Sequence, residues 1–330
     1  MNDAFEPLGE AAARVVAGVA RKIETFDVTD RATWLARREK DVTASVVGAL
    51  LGVHEYQTQF GLYMLKSGAT QEDPEETAAM KRGRLLEPVA IELLREMRPE
   101  WNVRRCTQYF RDPAARIGAT PDAFADDPDL GPGIIQIKTV EPSVFRRKWR
   151  TEDGAFEPPL WIVVQAIVEA HLTGAKWAAV APMRVSFGID IEPFMVPIHA
   201  GLIERIYAEV AKFWRRIEDG NPPPIDYAQD GALVARLYAQ DDGSIVELAG
   251  DNMLPALRDE DAKLAAEIKA ADERRKAIKT ELLAKMGEAS VLMLDGEEFA
   301  TAKTVSRKAY SVAASSYRRV QFKTARGAAA

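Results

Sequence analysis

A chain of 330 residues is long enough for two units, or for one domain with appendages. Its 47% hydrophobic and 28% charged residues exclude a collagen-like or largely disordered protein, and no apolar run approaches the ~20 residues of a bilayer helix. Lys and Arg number 44 against 50 Asp and Glu, and the resulting net charge of −6 argues against a surface that grips nucleic acid everywhere while leaving room for local basic patches.

The opening Met1-Asn2-Asp3-Ala4-Phe5-Glu6 lacks the basic and apolar regions of a signal peptide, and the single cysteine makes a reducing cytoplasm the expectation. The first ~70 residues read as several short helices. Trp34-Leu35-Ala36-Arg37-Arg38 leads toward Thr43–Gly52, where Thr43 is the expected N-cap and Gly52 the stop. Residues 70–77 are acidic and polar, hence a loop. An amphipathic helix is predicted from Thr77 to Arg98, with Leu86, Val89, Ala90, Leu93, Leu94 and Met97 on one stripe and Pro99 ending it.

The period then shortens to that of strands. Val103–Phe110, Arg116–Thr120, Ala123–Ala125 and Gly133–Val140 are separated by Asp, Pro and Gly turns. Cys106 is the only cysteine and cannot close an internal disulfide; His54, His171 and His199 are scattered, with no zinc spacing. A helix near Leu160–Thr173, strands near Lys176–Pro182 and Ser186–Pro197, and a helix near Leu202–Glu218 complete the block. Gly220-Asn221-Pro222-Pro223-Pro224 terminates it. Beyond lie a short helix near Leu233–Leu237, a charged helix from about Leu257 to Met286, and a β-hairpin of Val291–Leu294 and Phe299–Val305 around Asp295-Gly296. The thin apolar stripe of the charged helix suits projection from the body or pairing with one partner helix. Two domains follow: residues 1–225 as the chemical block and 226–330 as an extension.

Asp122 follows a Thr120-Pro121 turn at the start of a strand, and Gln136 and Lys138 share one face of a later strand. Adjacent strands bring an acid, an amide carbonyl and an ammonium together, a set that suits a divalent cation held by oxygens with a lysine to orient a water. Glu87, beside Arg82, Gly83 and Arg84, adds a further carboxylate. Taken alone, the same residues also fit a solvated aspartate, a sheet glutamine and a surface lysine.

Context decides between the two. Trp34…Arg38…Thr43-Ala44-Ser45…Leu51-Gly52 with the Phe60–Leu65 segment resembles the opening of the YqaJ-like phage recombinase nucleases, the lambda exonuclease group of the PD-(D/E)xK superfamily. Arg82-Gly83-Arg84-Leu85-Leu86-Glu87-Pro88 resembles the family's RGxxxEP helix start. Gly118-Ala119-Thr120-Pro121-Asp122-Ala123-Phe124 resembles its turn before the metal-binding aspartate, and Ile135-Gln136-Ile137-Lys138-Thr139 its LEIKT strand. Trp161…Gln165…Gly174-Ala175-Lys176 resembles its glutamine-bearing helix. The likeness runs over roughly residues 30 to 225, in order, and the charged helix and hairpin beyond are similar to the tail of many phage members.

The resemblance implies an α/β (α+β) restriction-endonuclease-like core, a central mixed β-sheet flanked by helices, followed by a helical extension carrying the hairpin. Asp122 and Gln136, helped by the Ile137 carbonyl, would ligate Mg²⁺ or Mn²⁺, with Glu87 completing a second-metal or water-bridging site. Lys138 would position the attacking water, and Arg38, Ser45, Thr120 and Gln165 would receive a 5′-phosphate. The implied activity is 5′→3′ degradation of one strand of linear double-stranded DNA, leaving a 3′ single strand for an annealing protein. A ring-shaped homotrimer, no membrane, and a phage or prophage origin in a bacterial cytoplasm complete the expectation.

One departure matters. Where the family usually carries glutamate this chain has Gln136, which keeps a carbonyl oxygen of similar reach and loses a negative charge. Two alternatives stand beside the exonuclease: a weakened DNA-end-binding module that recruits an annealing protein, and an endonuclease on the same core. Arg146, Arg147, Lys148 and Arg150, beside Phe145 and Trp149, read either as a DNA-backbone track or as a solvated helix face. The tail beyond residue 299, with Lys303, Arg307, Lys308, Arg318, Arg319, Lys323 and Arg326, reads as a non-specific basic segment.

Overall fold

A computed structural model describes residues 22–70, 76–309, 311, 314 and 316–323; the expectations for Met1–Glu6, for residues 71–75 of the acidic loop and for Arg326 lie outside them. The chain divides into two compact units, Met1–Val234 and Ala235–Ala330. Among the described residues no helix is long and apolar enough to cross a membrane.

The first unit opens with β1 (Glu24–Asp27), α1 (Arg31–Glu39), β2 (Val42–Thr43), α2 (Ala44–Leu50) and α3 (Gln59–Lys66). The purely helical expectation for this stretch is thus corrected. β1 has only four residues, alternately half-buried and exposed, too few to stand out as a period in sequence. Asp30 caps α1 by accepting from Thr33 N, and Thr58 caps α3 by accepting from Gly61 N. Thr43 precedes α2 in extended backbone without capping it, because its hydroxyl lies 3.0 Å from Ser45 Oγ instead.

α4 (Ala78–Met97) is capped by Thr77; of the predicted stripe it buries Ala90 and Leu94 and half-buries Leu86 and Leu93, while Val89 and Met97 are exposed and Ile91, outside the stripe, is buried. The expected Val103–Phe110 strand is two strands in two sheets: β3 (Arg104–Arg105) and β4 (Gln108–Asp112). The break falls at Cys106, whose amide donates to Asp122 O while its sulfur accepts from Gln108 N. β5 (Ile117–Ala119), β6 (Ala123–Asp127), β7 (Gly131–Val140), α5 (Pro142–Lys148), α6 (Leu160–Thr173) and β8 (Trp177–Val185) follow. The expected Ser186–Pro197 strand is divided into β9 (Ile189–Ile191) and β10 (Phe194–Val196), which both pair with β8. α7 (Ala200–Glu218) then packs Ile203, Ile206, Tyr207, Val210, Phe213 and Trp214 inward.

One sheet has the order β1-β4-β5-β2, the other β10-β8-β7-β6-β3 with β9 also on β8. β7 pairs antiparallel with β6 and parallel with β8, so the second sheet is mixed and β7 lies between β6 and β8. Its side chains alternate. Ile134 and Val140 join the core shared with α2, α6 and α7, whereas Ile135 and Ile137 join a second core under α4. That alternation turns Gln136 and Lys138 to the α6 side of the sheet. α6 is apolar nearly all round and buries nine of its residues, and Gly174 ends it at φ 71°.

The first unit runs to Val234, past the boundary at 225 read from the proline run. Asp230 accounts for the difference: it accepts from Thr58 Oγ1 at 2.5 Å and from Asp226 N at 2.8 Å, tying the segment to α3. α8 (Gly231–Leu237) begins just after it. In the second unit α9 (Met253–Met286) starts before the predicted Leu257 and keeps Leu264, Ile268 and Ile278 exposed. β11 (Val291–Leu294) and β12 (Glu297–Thr301) form the hairpin, with Asp295 and Gly296 both at positive φ as a tight two-residue turn requires. The return strand begins before Phe299 and ends at Thr301, because that turn sets the register.

Candidate active site

The elements around β7 bring Glu87, Asp122, Gln136, Ile137 and Lys138 to the wall of one cleft of about 710 Å³, with Arg82, Lys148 and Trp161 also on its lining. Asp122 stands just before β6, next to β7 by the antiparallel register that pairs Ala123 with Ile135. Its Oδ2 accepts from Ile137 N at 2.7 Å and from Gln136 Nε2 at 2.5 Å. Gln136 is buried, and its Oε1 has no hydrogen-bond donor. Burial pushes the Asp122 carboxyl up to about 7, with Lys138 pulling it down and Glu87 pushing it further up.

Lys138 Nζ donates to Gln165 Oε1 at 3.1 Å and lies 5.4 Å from the centre of the Trp161 ring. Gln165 in turn donates from Nε2 to Glu169 Oε1 at 2.9 Å. Gln165 and Glu169 are one turn apart on α6 and both are buried, so a polar seam runs beneath the cleft between β7 and α6. Glu169 is the residue sequence reasoning missed. Its signal was present: a single acid in the otherwise apolar run Leu160–Leu172, four residues after Gln165.

Glu87 lines the same cleft from α4, with Oε1 accepting from Arg105 Nε at 2.9 Å. Arg38 and Ser45 meet directly, Nη2 to Oγ at 3.2 Å. Thr120 joins them through Trp34, whose Nε1 donates to Thr120 Oγ1 at 3.1 Å while the Arg38 guanidinium stacks 4.3 Å above its ring. The fourth residue expected of this group, Gln165, is instead tied to Lys138 and Glu169. His54 bridges the two sets: Nε2 is 3.0 Å from Ser45 O, the ring packs 4.7 Å from Trp161, and Lys138 helps to hold its pKa down.

The basic cluster separates into its parts. Phe145 and Trp149 are buried in the core against Phe156, and only Trp149 reaches the lining of the cleft. Lys148 pairs with Glu55, and Arg150 donates to Gly154 O at 2.6 Å. Arg146 and Arg147 are exposed in the last turn of α5.

Among the described residues no three or more Asp, Glu, His or Cys side chains are grouped so as to hold a metal. Amide and carbonyl oxygens must therefore share in any cation site, and they are present. Asp122 Oδ2 and the Ile137 carbonyl both accept from Gln136 Nε2, at 2.5 and 3.3 Å, and turning that amide over would set its unsatisfied Oε1 beside them, three hard oxygens of the kind Mg²⁺ and Mn²⁺ take. The residues fit the group.

Residues 33–176 match the model of the YqaJ-like viral recombinase domain. No curated protein sequence matches the chain significantly. Among solved structures it is similar to an alkaline exonuclease, LHK-Exo, from Laribacter hongkongensis, at 22% identity and a TM-score of 0.46, over 62% of this chain and 99% of that one. The LHK-Exo complex with dAMP matches at 22% identity and a TM-score of 0.47, over the same shares. A phage related exonuclease from Haemophilus somnus 129PT matches at 13% identity and a TM-score of 0.42, over 54% of this chain and 94% of that one.

Proposed function

Residues 33–176 are a YqaJ-like viral recombinase domain, and from that premise we propose that this chain is a metal-dependent exonuclease. Its substrate is linear double-stranded DNA, one strand of which it degrades from the 5′ end. The observation that carries the reading is the shared cleft: Glu87, Asp122 and the strand residues Gln136 and Lys138, from three separate parts of the sequence, line it together. An acid, an amide oxygen and an ammonium at one place match what phosphodiester hydrolysis requires.

Asp122, Gln136 Oε1 and the Ile137 carbonyl would hold Mg²⁺ or Mn²⁺, with Glu87 at a second or water-bridged position. An ion held there would supply neutralisation of charge developing on the phosphate and a water acidic enough to attack near neutral pH. Lys138, held by Gln165, orients that water. Arg38 and Ser45, with Thr120 behind Trp34, receive the terminal 5′-phosphate, where an arginine fork and hydroxyls select the extra charge. Gln165 acts at one remove, through Lys138. Arg146 and Arg147 are the members of the basic cluster that meet the DNA backbone. The 3′ single strand left behind passes to an annealing protein, the chain works as a ring-shaped trimer, and the setting is a bacterial cytoplasm.

A time course on linear duplex with 5′-phosphate or 5′-hydroxyl ends, with Mg²⁺, Mn²⁺ or chelator, tests this directly. Metal-dependent nucleotide release, faster from 5′-phosphate ends, is the expected result. No release by either this chain or its Gln136→Glu variant sinks the reading. The Gln136–Asp122 hydrogen bond favours a second reading, a DNA-end-binding module with feeble turnover, since the amide ties up an oxygen that a cation needs. End binding without release, with Gln136→Glu switching release on, would establish it. Equal rates on closed circular and linear DNA would point to an endonuclease.

A further inference from the structure

The seam beneath the cleft holds more acid than the nuclease reading uses. Glu169 is buried to 1% exposure. One of its oxygens, Oε1, accepts from Gln165; the other, Oε2, is buried with no hydrogen-bond partner. A second buried acceptor without a donor, Gln136 Oε1, belongs to the same layer between β7 and α6. Native interiors leave few such acceptors, and each needs a donor or a cation as its partner.

The surroundings place Glu169 in the field of the other carboxylates. Asp122 raises its proton affinity, burial being the larger cause, and Lys138 lowers it. Glu169, Asp122 and Glu87 all raise the pKa of the Cys106 thiol, itself pushed up to about 11 chiefly by burial. Cys106 is buried and its amide bonds to Asp122 O. Glu169 and Asp122 thus act on each other across the layer between β7 and α6. Within hydrogen-bond reach of Glu169 stands Gln165, which also holds Lys138, so the helix acid is joined to the strand chemistry by one amide.

We infer that Glu169 supplies the negative charge that position 136 lacks, making it, with Asp122, one of the two buried carboxylates of the divalent-cation centre. The inference rests on the metal-dependent reading above. A buried acid stays charged only where a charge or cation compensates it; Lys138 acts on both acids and Arg105 on Asp122 alone, so Glu169 has one cation that it must share. A divalent cation between Asp122 and Glu169 would balance both acids and give Glu169 Oε2 a partner, with Gln136 Oε1 reaching it once the amide turns over. The charge has moved from strand to helix, and glutamine on the strand is what the move permits.

The test is a cycle of Glu169→Gln, Gln136→Glu and the double variant in the full chain. Mn²⁺ binding is followed by electron paramagnetic resonance without DNA, and nucleotide release in parallel. Glu169→Gln is isosteric and removes a charge that is costly to bury, so its melting temperature should hold. Its Mn²⁺ affinity should fall roughly tenfold or more, a typical cost of removing support from a metal site, and the double variant should regain most of it. Unchanged Mn²⁺ affinity in Glu169→Gln overturns the proposal, as does a loss that Gln136→Glu fails to restore. Should Glu169→Gln melt early, Gln136→Glu alone decides. A site already holding two carboxylates gains little, whereas a gain of roughly tenfold or more marks Asp122 as its sole acid and overturns the proposal. Wild-type protein that neither binds Mn²⁺ nor releases nucleotides removes the nuclease reading and this inference together; binding and release with an indifferent Glu169→Gln removes the inference alone.

Discussion

Gln136 donates its side-chain amide to Asp122 Oδ2 over 2.5 Å, so the residue standing where a second acid is usual acts as a donor to the first. The bond suits a metal-free site, because an amide oxygen in the same place would repel the carboxylate. The group it steadies is nonetheless under strain of charge. Burial lifts Asp122 to about 7, so the folded protein binds a proton more tightly than the unfolded chain does. Between the ordinary value of 3.8 and about 7 the native state holds more protons, and stability must fall as pH rises through that window. The contribution of this residue has a slope approaching ~1.4 kcal/mol per pH unit in mid-window. Metal-free Asp122→Asn should lack that slope and exceed the wild type in stability at pH 8, and Mn²⁺ should stabilise the wild type alone. Urea unfolding from pH 5 to 8 measures it; parallel curves for the two proteins would contradict the assignment.

The Arg38–Ser45 pair predicts a selective defect. Arg38 reaches Ser45 Oγ and stacks on Trp34, which holds Thr120, so its guanidinium is fixed before any phosphate arrives. Arg38→Ala should reduce release from 5′-phosphorylated duplex by roughly 10- to 100-fold, the worth of about 1.5–3 kcal/mol for a hydrogen bond to a charged group. Release from 5′-hydroxyl ends should change little. An equal loss on both substrates would show that Arg38 serves the fold rather than the end.

His54 is a reporter placed between these two sets. Nδ1 accepts from Tyr56 N at 3.1 Å, so the neutral ring carries its proton on Nε2, toward Ser45 O. Burial first, and Lys138 after it, holds its pKa below 6.5. With the folded value depressed, the unfolded chain binds the proton more tightly, and the contribution of His54 to stability is lost as pH falls from 6.5 through the folded value. An NMR titration of the ring carbons should show His54 protonating below 6.5, and Lys138→Met should move its midpoint upward. A midpoint indifferent to Lys138 would separate His54 from the site.

Much of this arrangement was legible in the sequence, for reasons that differ by residue. Thr77 and the 3–4 stripe of α4 are local signals, and the helix appears where they put it. Gln136 and Lys138 share a face because strand side chains alternate, and Asp122 reaches them because β6 and β7 are consecutive and antiparallel. What was not legible depends on partners distant in sequence. The run of strand residues divides after Cys106 because β3 pairs with β6 while β4 pairs with β1 and β5 in the other sheet, and β1 exists only through β4. Phe145 and Trp149 lie beside four basic residues in sequence, yet the core claims them. Glu169 was passed over because an apolar helix reads as core; its meaning comes from the acids and the lysine that other elements bring to it.

Gly118 is a last case where resemblance and structure give different reasons for the same residue. In the Gly118-Ala119-Thr120-Pro121-Asp122 segment it resembles a turn glycine, but it sits within β5, buried, with no positive φ. The constraint is Tyr109. A Cβ on Gly118 would lie 1.8 Å from the Tyr109 hydroxyl and 2.4 Å from its ring carbon Cζ. That hydroxyl donates to buried Asp41 at 2.8 Å, and Asp41 also takes Arg111 Nη2 at 2.7 Å. Gly118→Ala must displace the ring and break the bond, so overpacking at about 1–3 kcal/mol adds to roughly 1.5–3 kcal/mol for a buried bond to a charge. Tyr109→Phe loses only the second part. Because both changes strike the same bond, Gly118→Ala in the Tyr109→Phe background should cost less than the two single losses added together. Chemical denaturation of the four proteins checks this; strict additivity would mean that Gly118 is required for some reason other than the approach of Tyr109.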